Sequence, residues 1–147
     1  MDLFTAMEVG GSGLKAQRAR LNLTAQNLAN ARTTETPDGD PYRAKRVVLG
    51  SQEGGGGTSF EAALQNAGGA RPEYVEVRQV VESQKPPKEV YDPGHPDANE
   101  QGYVGMPNVD TVTQMTDLMD AARAYKANTQ TISAAREMAM NALRIGQ

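Results

Sequence analysis

The chain has no cysteine, which excludes disulfides and thiolate chemistry and is compatible with a reducing or an oxidising compartment. It has no tryptophan and only two phenylalanines, and with aromatics at 5% a large aromatic-filled core is excluded. A single histidine, His95, would have to serve any Ser-His-Asp scheme, yet no nucleophile motif or oxyanion hole surrounds it. No segment approaches the roughly 18–20 consecutive apolar residues that span a bilayer. The opening Met-Asp-Leu-Phe-Thr-Ala-Met-Glu has neither the basic region nor the apolar run of a secretory signal peptide, so export would need another route. Basic residues are also too dispersed for nucleic acid, which calls for a dense Lys/Arg stripe. Net charge is −3, with +2 over residues 1–34, −5 over 35–105 and zero over 106–147.

What is present lies at the two ends. Met7, Leu14, Leu21 and Leu28 recur every seven residues, with Phe4 and Ala25 between them. Leu118, Tyr125, Ile132 and Ala139 do the same, interleaved by Ala121, Ala135 and Ala142. A seven-residue apolar repeat keeps one helix seam facing another. The spacing predicts a first helix over 3–31, about 45 Å long if continuous. Gly10, Gly11 and Gly13 predict a break or bend, since each helical glycine costs up to about 1 kcal/mol relative to alanine. The last helix is predicted from Thr111, where Thr111 and Gln114 match a capping box, to Ile145. No proline or glycine intervenes over that span, and Gly146 stops it.

The middle is punctuated by glycine and proline. Thr36-Pro37-Asp38-Gly39 is a turn signal. Strands are expected over 42–49, over the valine-rich 74–82 ended by Pro86-Pro87, over 88–92 and over 103–106. Residues 50–59, with four consecutive glycines, read as a flexible loop, and 60–67 as a short helix. The fold class is therefore α+β. Residues 1–34 and 107–147 form long terminal helices paired as a coiled coil, and residues 35–106 form a small antiparallel β-rich domain with flexible loops.

Few residues suggest chemistry. His95 lies among Asp92, Asp97, Asn99 and Glu100, a donor set that could hold a divalent ion, but Pro93 and Pro96 favour a tight loop and the spacing matches no calcium loop. The glycines at 54–57 lack the Gly-Lys-Ser/Thr end of a phosphate loop. Asn22-Leu23-Thr24 has glycosylation spacing but lies inside a predicted helix. No catalytic, cofactor-binding or metal-binding residue is assigned. Asn27 and Asn128 interrupt or border the seams; each either fixes helix register or faces solvent.

Asn27-Leu28-Ala29-Asn30 followed by Ala31-Arg32-Thr33-Thr34 resembles the N-terminal signature of bacterial flagellar rod, hook and other axial proteins. Ala124-Tyr125-Lys126-Ala127-Asn128, within 121–131, resembles the C-terminal signature of the same group. The motifs at 36–43, 90–97 and 102–109 are similar to those of its proximal rod members. The resemblance spans nearly the whole chain, and both signatures fall on the seams.

The resemblance implies a non-enzymatic structural subunit without a cofactor. Such proteins are exported through the flagellar type III apparatus without a cleaved signal peptide. They assemble with copies of themselves and other rod proteins into a torque-transmitting shaft across the periplasm, with the terminal helices lining the export channel. No nucleic acid and no small-molecule substrate belong to that role. The residues expected at the assembly interface are Leu14, Leu21, Asn27, Leu28, Asn30, Met115, Leu118, Tyr125, Asn128 and Ile132. An adaptor with one partner is the alternative, and an enzyme would require activity dependent on His95.

Overall fold

A computed structural model describes residues 3–53 and 72–145 of the chain. Helix α1 spans Leu3–Ala29, strands β1 and β2 span Lys45–Glu53 and Glu73–Glu82, strands β3 and β4 span Lys88–Tyr91 and Tyr103–Met106, and helix α2 spans Thr111–Ile145. The α+β class holds, with two long terminal helices around a small antiparallel β region. That region is divided into two two-stranded sheets, β1–β2 and β3–β4. The glycine run at 54–57 and the short helix expected over 60–67 lie outside the described residues.

Helix α1 runs unbroken through Gly10–Gly13, where the sequence predicts a break. Its geometry supplies the reason. The helices pair antiparallel, and a Cβ on Gly10 would stand 3.0 Å from Ile132 Cγ1, while one on Gly13 would stand 2.8 Å from Asn128 Nδ2. These two glycines let α2 close on α1, and the packing offsets their low helix propensity. Gly11 meets nothing within 4 Å and carries no such role.

The β1–β2 hairpin lies lengthwise along α1. Near its open end Lys45 bonds Asn27, and near its tip Tyr74 donates to Glu8 Oε2 at 2.9 Å and the Val75 N–H to Ser12 Oγ at 3.2 Å. Nine strand residues cover about 30 Å, close to the rise of the twenty helical residues from Glu8 to Asn27. The hairpin register shifts between Val48 and Leu49, leaving Arg78 as the extra residue on β2. Arg78 folds over Gly50 and donates to the Ser51 carbonyl at 3.2 Å. Gly50 is thus inside β1, which runs to Glu53 rather than ending in the expected loop. Its missing side chain is the space that Arg78 occupies.

Strands β3 and β4 bring Val104 into the interior, and Pro107 and Val109 follow it there. Gly39 and Gly102 both adopt φ of 84°, each closing a tight turn that a side chain would strain. The cap of α2 differs from the Thr111/Gln114 box. Asp110 Oδ1 accepts from the Val112 and Thr113 N–H groups, and Asp110 Oδ2 accepts from Thr113 Oγ1 at 2.8 Å. Gln114 is engaged elsewhere, on Asn27. The terminus of α1 closes on Asn30, whose Nδ2 donates to the Gln26 carbonyl at 2.9 Å.

Two outcomes follow from these contacts. Gly11→Ala raises stability by up to about 1 kcal/mol, whereas Gly10→Leu crowds Ile132 and lowers it by about 1–3 kcal/mol; thermal unfolding of the two variants checks the contrast. The hydrogen bond from Thr113, with the two backbone donors, holds the Asp110 carboxyl below the usual carboxylate range. A depressed folded-state pKa adds stability above the unfolded value and loses it as pH falls through the folded one. Unfolding measured from neutral pH down through about pH 4 to pH 2 should therefore show a shallower acid loss in Asp110→Asn than in the parent chain.

Candidate assembly interface

The seam between α1 and α2 is built from small and polar side chains. Among the described residues the buried apolar ones are Ala16, Val104, Val109, Ala121 and Ala135, with Thr24 and Asn27 as buried polar groups. Small residues suit a close helix approach but remove little apolar area from water. The larger seam side chains, Leu14, Leu21, Leu28, Leu118 and Ile132, are each only half-buried. One chain therefore closes its seam incompletely.

Asn27 occupies the junction where four segments meet, and it is 3% exposed. Its Nδ2 donates to the Lys45 carbonyl at 2.8 Å and to Gln114 Oε1 at 2.8 Å. Its Oδ1 accepts from the Tyr42 hydroxyl at 2.9 Å and from the Lys45 N–H at 2.8 Å. A carboxamide has two N–H donors and two lone pairs, and here all four are used. Burial pushes the Tyr42 phenol above its ordinary pKa, and its neutral hydroxyl donates to Asn27. One side chain thereby fixes the register of α1 against α2 and the position at which β1 begins. Of the two readings open for Asn27, register holds and solvent exposure does not.

Of the other expected interface residues, Leu14, Leu21, Leu28 and Leu118 line the seam half-buried, and the remaining five differ among themselves. Asn128 and Ile132 lie over Gly13 and Gly10 within the intramolecular seam. Asn30 acts locally: it caps α1, and its Oδ1 accepts from Thr33 Oγ1 at 3.1 Å. Met115, at 51% exposure, lies off the inner positions of the seam, which include Ala121 and Asn128, whereas Tyr125 shares the stripe of Ala121, Asn128 and Ile132 and, at 39% exposure, keeps most of its surface covered. Val112 and Met119 are exposed too, and with Met115 they form an unpartnered apolar stripe at three- and four-residue spacing.

Sequence reasoning missed Gly10, Gly13, Gln114, Tyr42 and Lys45 as seam or junction residues. Small residues at 10, 13 and 16 were a legible sign of close helix approach; the partners of Asn27 left no local signal. The loop around His95 spends its polar groups on itself and on Thr34. His95 Nδ1 accepts from the Asp97 N–H at 3.2 Å, Asp97 Oδ2 from Thr34 Oγ1 at 2.6 Å, and Asn99 Oδ1 from the N–H groups of Gln101 and Tyr103. Among the described residues no group of three His, Cys, Asp or Glu side chains could hold a metal ion.

Replacing Asn27 by Asp keeps the shape but loses both donors and sets a carboxylate against the Lys45 carbonyl and Gln114 Oε1. Each buried polar group left unpaired costs about 1–3 kcal/mol, so Asn27→Asp should destabilise the chain by about 3 kcal/mol or more. Denaturant unfolding measures the loss. Wild-type stability in that variant would deny the junction its role.

Two family models match the chain at its two ends. One described as "Flagella basal body rod protein" covers residues 7–35, which include Asn27, and one described as "Flagellar basal body rod FlgEFG protein C-terminal" covers residues 100–145. Among curated proteins, "Flagellar basal-body rod protein FlgC" of Salmonella typhimurium is 44% identical over 147 residues, all of both chains. That of Escherichia coli O157:H7 is 43% identical over 147 residues, again all of both. That of Bacillus subtilis is 39% identical over 154 residues, with full coverage of each. Identity at this level along the entire length, through both helices and the β region between them, makes this chain a member of the FlgC family of flagellar basal-body rod proteins.

Proposed function

We propose that the chain is built into the proximal part of the flagellar rod by its terminal helices, which complete their seams against neighbouring subunits. Members of this family are structural subunits of the basal-body rod, not enzymes, and the chain accordingly works in the flagellar basal body with other rod components. The finer reading concerns how it does so. Residues 1–34 and 107–147 form the inner layer around the export channel, residues 35–106 form an outer layer, and the assembled shaft crosses the periplasm and transmits torque. The chain reaches that place through the flagellar type III export apparatus and takes no small-molecule substrate.

The observation that carries this reading is the mismatch between helix length and buried area. Twenty-seven and thirty-five residues of helix meet along a seam whose buried apolar members, among the described residues, are three alanines, Ala16, Ala121 and Ala135. A single chain satisfies the backbone but leaves large side chains half in water. Neighbours on several sides would cover them, which is what a shaft under torsion needs: many lateral contacts along long helices rather than one compact patch.

Leu28 and Ile132 are poor probes of that interface, because Ile132 already packs on Gly10 and Leu28 flanks the Asn27 junction. Met115 and Met119, each 51% exposed, are better. Met115→Asp and Met119→Asp should leave the thermal unfolding of the isolated chain unchanged within about 0.5 kcal/mol, as surface substitutions do. Both variants should still be exported, but swimming motility should fall and basal bodies should lose the rod. Normal motility in both would remove these positions from the interface.

A further inference from the structure

We infer that the open face of α1 receives the acidic loops at the junction end of a second copy of this chain. The inference rests on the assembly reading above and names one contact within it. Two sides of α1 are already taken: Gly10 and Gly13 face α2, and Glu8 and Ser12 bond the β1–β2 hairpin. On the remaining side Gly11, Lys15, Arg18, Asn22, Ala25 and Ala29 follow one another at three- and four-residue spacing. From Lys15 onward this stripe is exposed, and a Cβ on Gly11 would meet nothing within 4 Å.

Size and charge define what fits that face. Its small residues let a partner come close to the helix backbone. Its charge has one sign: between Val9 and Thr34 the chain has Lys15, Arg18, Arg20 and Arg32 and no Asp or Glu. Neither Lys15 nor Arg18 forms an ion pair among the described residues. The occupant is therefore acidic. The far half of a neighbour's α2 does not qualify, because beyond Ala122 it sets Arg123, Lys126, Arg136 and Arg144 against Glu137 alone.

The matching surface is on the chain itself. Residues 35–42 and 89–100 contain no Lys or Arg. They present Glu35, Asp38, Asp40, Asp92 and Glu100, all exposed and none in an ion pair among the described residues. Thr34 Oγ1 donates to Asp97 Oδ2 at 2.6 Å and ties the two segments into one surface. The Gly39 N–H donates to the Thr36 carbonyl at 2.8 Å, which fixes the turn that carries Asp38 and Asp40.

Geometry makes the contact intermolecular and directional. The Tyr42 N–H donates to the Thr33 carbonyl at 3.1 Å, so the segment between them closes back on the junction. Lys15 lies about 21 Å down the helix from Ala29, away from that junction and out of reach of the chain's own loops. A second copy shifted along the shaft by about that distance sets its loops beside Lys15 and Arg18. The two surfaces are unlike, so each added copy leaves one free for the next, the condition for an open helical array. Ion pairs at such an exposed contact set the register and rate of joining more than its strength, and salt screens them.

A photo-crosslinking amino acid at Asn22, beside Arg18 on the open stripe, tests this in assembled basal bodies of cells carrying the full-length chain. The expected adduct has the size of a dimer of this chain and maps by peptide mass to residues 35–42 or 89–100 of the second copy. Lys15→Glu combined with Arg18→Glu, with unchanged thermal unfolding as a monomer, should reduce incorporation into basal bodies at least tenfold at equal amounts of exported chain. Adding Asp38→Lys and Asp40→Lys to the same chain should restore incorporation to within threefold of the parent. An adduct on another rod protein or on a neighbour's helix would overturn the contact, as would no adduct from basal bodies that contain the chain. Normal incorporation of the reversed chain, or a loss that the second reversal leaves in place, would do the same. If the parent chain is absent from basal bodies altogether, it is the rod reading that fails.

Discussion

The structure depends on one side chain whose every polar valence is spent. The Asn27 carboxamide joins α1 to α2 through Gln114, to β1 through both backbone groups of Lys45, and to the linking segment through Tyr42. No apolar residue could do this, because apolar contact fixes area but not register. With Asn27 set, Asn128 falls on Gly13, Ile132 falls on Gly10, and the β1–β2 hairpin is laid along α1 for the length it needs. The arrangement resembles a clasp at one end of two long rods. A satisfied buried polar network costs little and specifies much, whereas a half-satisfied one would be worse than none.

The clasp also sets where the chain is firm. Val104, Val109, Pro107 and Ala121 are buried near Asn27 and the start of α2, while among the described residues Ala16 and Ala135 are the buried ones toward the far end. A gradient of packing runs along the hairpin. Burial toward the far end comes chiefly from alanine, which contributes far less than leucine or isoleucine would. A subunit of this kind is held in register at one end and left to be completed at the other. That arrangement suits a protein whose working form is an array of neighbours, since the free energy of ordering the far turns can come from assembly.

Much of the fold was legible in the sequence, and the failures have physical causes. The boundaries of α2, the strand at 103–106 and the turn at Gly39 follow from local chemistry: an uninterrupted helical run, alternation, a turn tetrapeptide. The break expected at Gly10–Gly13 did not occur because tertiary contact overrode propensity; glycine there is a surface for Ile132 and Asn128 rather than a hinge. The same holds at Gly50, which is empty so that Arg78 can cross it. The cap of α2 moved from Thr111 to Asp110 because Gln114, the partner a capping box needs, is taken by Asn27 across 87 residues of chain. For the interface, the heptad stripe marks the two helices that pair, while the close approach between them falls on Gly10 and Gly13, outside the stripe.

This chain is latched at Asn27, and among the described residues its packing thins toward the far end of the hairpin. Amide hydrogen exchange on the dilute monomer tests that most directly, because it reads local opening residue by residue. Protection should be highest over the last turns of α1, the start of β1, β4 and the first turns of α2. It should fall steadily toward the start of α1 and the end of α2, and rise there when the same chain is measured in basal bodies. Uniform protection along both helices in the monomer, with a single cooperative opening, would contradict the claim.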